Sequence, residues 1–248
     1  MENELKPFWR KFFGFNWKFG LFLILAVCIP RFLLVLNANE TANYRYIGLI
    51  MLVSAVAPFI FLSKTGRKTI GLKKPAGKSW LCFAFILGLI LSAMLYAAGV
   101  LLYGHSVENW YIYIGKSYNI PNGIAGNDKL VMFVIMSVTG MVFSPVGEEL
   151  FFRGIVHSSF AKSVGNFTAS LIDSSAFALT HLSHFGLIFI NGKWNFLPLP
   201  ALIWVSGMFA VSMVFDLCRT KTGSLWGAII CHAAFNLGMI YCIFYPLN

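Results

Sequence analysis

The 248-residue chain is 58% hydrophobic and only 11% charged, with a formal net charge of +10. A soluble domain carries about a quarter charged residues, so this composition excludes a soluble fold and indicates a polytopic membrane protein. The excess positive charge sits in short segments between apolar runs, a placement that argues against nucleic-acid binding and for a topology signal.

Taken in chain order, residues 1–18 are aromatic and basic (Phe8, Trp9, Phe12, Phe13, Phe15 and Trp17 beside Lys6, Arg10, Lys11 and Lys18) and predict an interfacial helix on the inner leaflet. The first apolar run, 19–36, comes after basic residues as in a signal peptide. It is too long for one, however, contains Pro30-Arg31 and lacks a small-x-small cleavage site, so it reads as a retained anchor. Further runs at 46–62, 80–103, 130–146, 167–190, 200–218 and 224–246 complete an all-α bundle of about seven spans, one integral-membrane domain over residues 1–248. Segment 104–128, with Glu108, Pro121-Asn122-Gly123 and two Tyr/Trp clusters, is the longest stretch outside the spans and is expected to rest on the outer interface.

Fourteen of the nineteen Lys and Arg residues fall on one side of this alternation, among them Arg153, Lys162, Arg219 and Lys221. The other side holds Arg45, Lys116, Lys129 and Lys193, and Arg31 lies within the first span. The bias predicts a cytoplasmic N-terminus and an external C-terminus. Segment 63–79, basic and without an acid, serves as a topology signal with a face suited to anionic lipid. The five cysteines lie in or beside apolar runs with no CxxC pair and read as small buried hydrophobes.

Polar residues enter the spans in the second half. Ser144-Pro145-Val146-Gly147 reads as a helix break, with a new helix starting near Glu148 and placing its carboxylate at the positive end of a helix dipole. Glu149 and Arg153, four residues apart, are expected to pair along one face. Glu148 points about 100° away and is left as a lone carboxylate facing a cavity, suited to acid–base work. Phe177 and His181 lie one turn apart in a later span, and His232 and Asn236 one turn apart in the last. A Glu, a His and a His/Asn pair on three helices can activate water and stabilise an oxyanion. His157 and His184 read as packing residues, and Asp173 and Asp216 as satisfied locally or among headgroups.

These residues resemble the motifs of the CPBP intramembrane proteases, the CAAX-protease and bacteriocin-processing family also called Abi. EExxxR stands as Glu148-Glu149-Leu150-Phe151-Phe152-Arg153, FxxxH as Phe177 to His181, and HxxxN as His232 to Asn236. The motifs and their spans cover about 130–246, the expected catalytic core. A further motif is partial: Trp204 and Gly207 fit its start and Thr222-Gly223-Ser224-Leu225 its end, but Val211 stands where a second Gly is usual. The resemblance implies a membrane-embedded endopeptidase in which Glu148 and His181 activate water and His232 and Asn236 bind the oxyanion, with Glu149, Arg153 and Phe177 supporting.

No cofactor is expected on this reading. The alternative is zinc held by Glu148, His181 and His232, although the HExxH spacing is absent. Partners would be the lipid bilayer and a peptide or membrane-protein substrate, such as a bacteriocin or pheromone precursor, in a bacterial plasma membrane. The rival class is a non-enzymatic immunity factor or a scaffold for a signalling partner.

Overall fold

A computed structural model describes residues 4–121 and 123–247; Asn122, within the expected 121–123 turn, lies outside the described residues. In chain order the helices are α1 (Trp17–Thr41), α2 (Ile47–Phe61), α3 (Lys64–Thr69), α4 (Ser79–Tyr103), α5 (Trp110–Gly115), α6 (Gly126–Glu149), α7 (His157–Val164), α8 (Asn166–Thr180), α9 (Pro198–Thr222) and α10 (Leu225–Phe244). A two-stranded antiparallel hairpin, β1 (Leu187–Ile190) and β2 (Lys193–Phe196), separates α8 from α9.

Each expected apolar run corresponds to a helix, but among the described residues only five segments are long and apolar enough to cross a membrane: α1, α4, the continuous stretch Gly126–Val164, α9 and α10. Helices α2 and α8 have fifteen residues each. At about 1.5 Å per residue they fall short of a hydrocarbon core roughly 30 Å thick. Apolar side chains cover the outside of the bundle (Leu33, Leu101, Phe143 and Leu202 are all exposed), as expected where lipid is the solvent.

The expected span at 167–190 ends early, at Thr180. A 3-10 turn, His181–Ser183, comes next, and side chains take up the carbonyls that the helix would otherwise leave open. His181 Nδ1 lies 2.7 Å from the Phe177 carbonyl, Trp204 Nε1 donates to the His181 carbonyl at 3.0 Å, and Asn39 Nδ2 donates to the Ser183 carbonyl at 2.8 Å. The chain then enters the hairpin, whose two turn residues, Asn191 (φ 52°) and Gly192 (φ 73°), have the twist that joins antiparallel strands.

The expected break before Glu148 is also absent. Helix α6 runs through Pro145 to Glu149 and continues as a π-helical turn, Leu150–Val156, before α7. Pro145 removes one backbone bond, which a helix inside a bundle tolerates because its neighbours shield the freed carbonyl. Gly147 serves close packing instead: a Cβ there would stand 2.7 Å from the Met51 carbonyl oxygen of α2.

Two flanking segments also depart from expectation. Residues 4–16 form no long interfacial helix, only a 3-10 turn at Trp9–Lys11. Leu5 is buried in a bridge to Leu62, and Trp9 and Phe13 join a ring cluster with Phe19 and Phe61. Segment 104–128 turns inward through α5, where Trp110 and Tyr111 are fully buried and Trp110 stacks on Trp204. Tyr113 Oη accepts from the Phe189 backbone N–H at 2.8 Å, which ties α5 to β1.

The most extensive helix pairing is α4 against α10. It depends on Gly88, where any Cβ would run into the Cys231 carbonyl and the Ala234 side chain. Gly88→Leu is expected to cost about 3 kcal/mol or more through overpacking, read as a lowered unfolding midpoint in detergent micelles; an unchanged midpoint would contradict the packing described.

Candidate active site

All four side chains proposed for chemistry, Glu148 (end of α6), His181 (turn after α8), His232 and Asn236 (α10), line one cavity of about 250 Å³. Its apolar wall includes Phe177, Met208, Val211 and Phe215, and Arg31, Ser144 and His184 add polar groups. Val211, at the position where a second Gly was expected, is buried there and serves as wall.

Glu148 is buried but not alone. Arg31, reaching across from α1, donates Nη2 to Oε1 at 3.0 Å, and Ser144 Oγ, one turn back on α6, donates to the same oxygen. Oε2 is buried without a hydrogen-bond partner among the described residues. The expected lone carboxylate at a helix N-terminus is thus a paired one inside a continuous helix. Its charge is balanced by a guanidinium, not by a dipole.

Glu149 pairs with Arg153 as expected (Oε2 to Nε, 3.2 Å) and also faces His232 Nδ1 through Oε1 at 2.7 Å. Arg153 continues to Ser212 Oγ (2.5 Å) and stacks its guanidinium over Phe177 at 4.4 Å, which is how Phe177 enters the site. Phe177 in turn packs on the His181 ring (4.3 Å), and Phe215 stacks on His232 (4.7 Å).

A second set of charges lies behind this layer. His157 Nδ1 meets Asp173 Oδ2 at 2.7 Å, Arg219 Nη2 meets His157 Nε2 at 2.8 Å, and Asp216 bonds both Arg219 Nε and Ser170 Oγ at 2.7 Å. Asp173 also lies 3.9 Å from Arg153 Nε, which joins the two layers. Sequence reasoning left His157 as a packing residue and Asp173 and Asp216 as separately satisfied groups, paired Arg153 with Glu149 alone and counted Arg219 among flanking charges. The structure makes all five members of one network.

These bonds fix what each imidazole can do. His181 donates Nδ1–H to the Phe177 carbonyl, so in the neutral ring Nε2 carries the lone pair. His232 donates Nδ1–H to Glu149, so it can donate from Nε2 only as the imidazolium, an ion whose charge the Glu149 carboxylate balances. Asn236 gives one N–H to the Gly140 carbonyl at 2.9 Å and keeps a second.

Zinc fits this set poorly. Among the described residues, no three His, Cys, Asp or Glu side chains converge as a metal-holding group. The carboxylate that would supply the anionic ligand already receives Arg31.

A neighbouring cavity of about 230 Å³ shares Tyr44, Ile114, Ser117 and His184 with the first and adds Asn39, Tyr113, Lys116, Asn119 and Phe189. It lies beside the first, at α5 and β1. Burial pushes the Tyr44 phenol up to about 12, so it remains protonated and donates to Asn39 Oδ1 at 2.9 Å.

Sequence reasoning missed Arg31 and Ser144 as partners of Glu148. The available signal was an arginine inside an apolar run, which needs a carboxylate at its own depth. Trp204 was noted only as the start of a partial motif, but its indole N–H fixes the His181 backbone.

Residues 130–238 match the family model described as Rce1-like, type II CAAX prenyl endopeptidase Rce1-like. No curated protein and no solved structure matches the chain. The matched segment contains Glu148, His181, His232 and Asn236 and leaves out Arg31.

Removing one partner from a buried network strands the others, so Arg153→Gln is expected to lower stability by about 3–5 kcal/mol. Denaturant unfolding in micelles checks this, and a loss below that of an ordinary surface substitution would remove Arg153 from the network.

Proposed function

We propose that this chain, a member of the CPBP (Abi) family through residues 130–238, is an endopeptidase that hydrolyses peptide bonds inside the membrane with a water activated by Glu148 and His181. The observation that carries the reading is the convergence of Glu148, His181, His232 and Asn236 on one cavity inside an apolar bundle.

Two acceptors, Glu148 Oε2 and His181 Nε2, suit the two protons of one water and leave its oxygen directed at a substrate carbonyl. Glu148 takes one proton as the oxygen bonds to the carbonyl carbon. Negative charge then builds on the carbonyl oxygen, facing His232 Nε2–H and the free Asn236 N–H. On collapse the carbon–nitrogen bond breaks, and the proton held by Glu148 passes to the departing amine. One water is consumed, with an acid and an amine as products. A positioned base contributes about 10²–10⁴-fold and an oxyanion donor about 10²–10³-fold.

Substrates on this reading are peptides or membrane-proximal protein segments, bacteriocin or pheromone precursors among them. The proposed orientation keeps the N-terminus cytoplasmic, on the side of the basic 63–79 segment.

Comparing peptide termini in membranes with wild type and with Glu148→Gln at equal abundance tests the activity. New termini are expected with wild type only, and identical profiles would leave the non-enzymatic scaffold reading. Asn236→Ala is expected to lower kcat about 10²-fold on a cleaved peptide with little change in KM; a loss confined to KM would remove it from oxyanion binding.

A further inference from the structure

Glu148 has two carboxylate oxygens in unlike surroundings. Oε1 accepts from Arg31 Nη2 at 3.0 Å and from Ser144 Oγ. Oε2 is buried without a hydrogen-bond partner among the described residues. A glutamate's terminal torsion is broad and roughly two-fold, so nothing intrinsic to the side chain selects between its oxygens. The selection comes from α1. Arg31 is itself 3% exposed, and its Nε, also buried and unpartnered among the described residues, belongs to a side chain lining the same cavity.

We propose that Arg31 is a positioning residue for the hydrolysis: its guanidinium, with the Ser144 hydroxyl, holds Glu148 by Oε1 so that Oε2 alone takes the proton of the attacking water. The assignment rests on the peptidase reading above. It brings into the catalytic apparatus a residue that lies outside the matched segment 130–238. Lysine is an imperfect replacement, since one ammonium cannot reproduce the planar fork that fixes a carboxylate's orientation.

The test uses the full chain, purified in micelles, on internally quenched peptides drawn from a pool and selected because wild type cuts them and Glu148→Gln does not. Arg31→Gln is expected to lower kcat on the order of 10²-fold, the usual cost of a misplaced reacting group, with KM unchanged. Arg31→Lys should recover part of that loss. Arg31→Ala, which leaves a space of guanidinium size, should recover activity on addition of millimolar guanidinium ion, whereas Glu148→Gln should not. Thermal unfolding of each variant accompanies the kinetics.

An unchanged or raised kcat in Arg31→Gln overturns the assignment. So does a loss that lies in KM, or one that tracks unfolding and is relieved neither by lysine nor by guanidinium. Those outcomes leave the peptidase reading standing. If wild type cuts no peptide in the pool, the peptidase reading fails and takes the assignment with it.

Discussion

The fold turns on the need to neutralise carboxylates where there is little water. Glu148, Glu149 and Asp173 are all essentially buried, and each meets a cation or an imidazole from another part of the chain. The contacts join the end of α6 to α1 and α10, the π-helical turn to α8, and α7 to α8 and α9. Such a network is not the cheapest way to hold helices together, since well-packed apolar residues often do as well or better. Of these three carboxylates Glu148 lines the cavity, and Glu149 and Asp173 lie behind it.

Much of this was legible from spacing alone. The Glu149–Arg153 pair is implied by a four-residue interval, and the depth of His181, His232 and Asn236 by the apolar runs that contain them. Partners distant in sequence were not legible. Nothing local says that Arg31 reaches Glu148, 117 positions away, or that His157 and Arg219 share a bond across 62. The hairpin was hidden for another reason. Leu187–Ile190 continues the hydropathy of α8, so the apolar run reads as one span up to the Asn191-Gly192 turn. Pro145 misled in the opposite direction: a residue that ends a helix in water can sit inside one when neighbouring helices exclude solvent.

The π-helical turn at Leu150–Val156 comes directly after the paired glutamates, and all seven of its residues are buried. Local widening of a helix rotates the side chains on its C-terminal side relative to those on its N-terminal side. Here it lies between Glu148, which faces the cavity, and His157, which faces the charges behind it. One continuous stretch of helix thereby serves two layers of charge.

Arg31 also bears on how the protein can be divided. Every residue of the three motifs lies beyond position 147, so the second half looks like a self-sufficient module. A polypeptide beginning at residue 130 would keep all those motifs while carrying Glu148 without its guanidinium. The two halves are therefore not interchangeable parts. A chimera joined near residue 130 to the first half of a relative would inherit a matched site only if that half brings a cation to the same depth of its first helix.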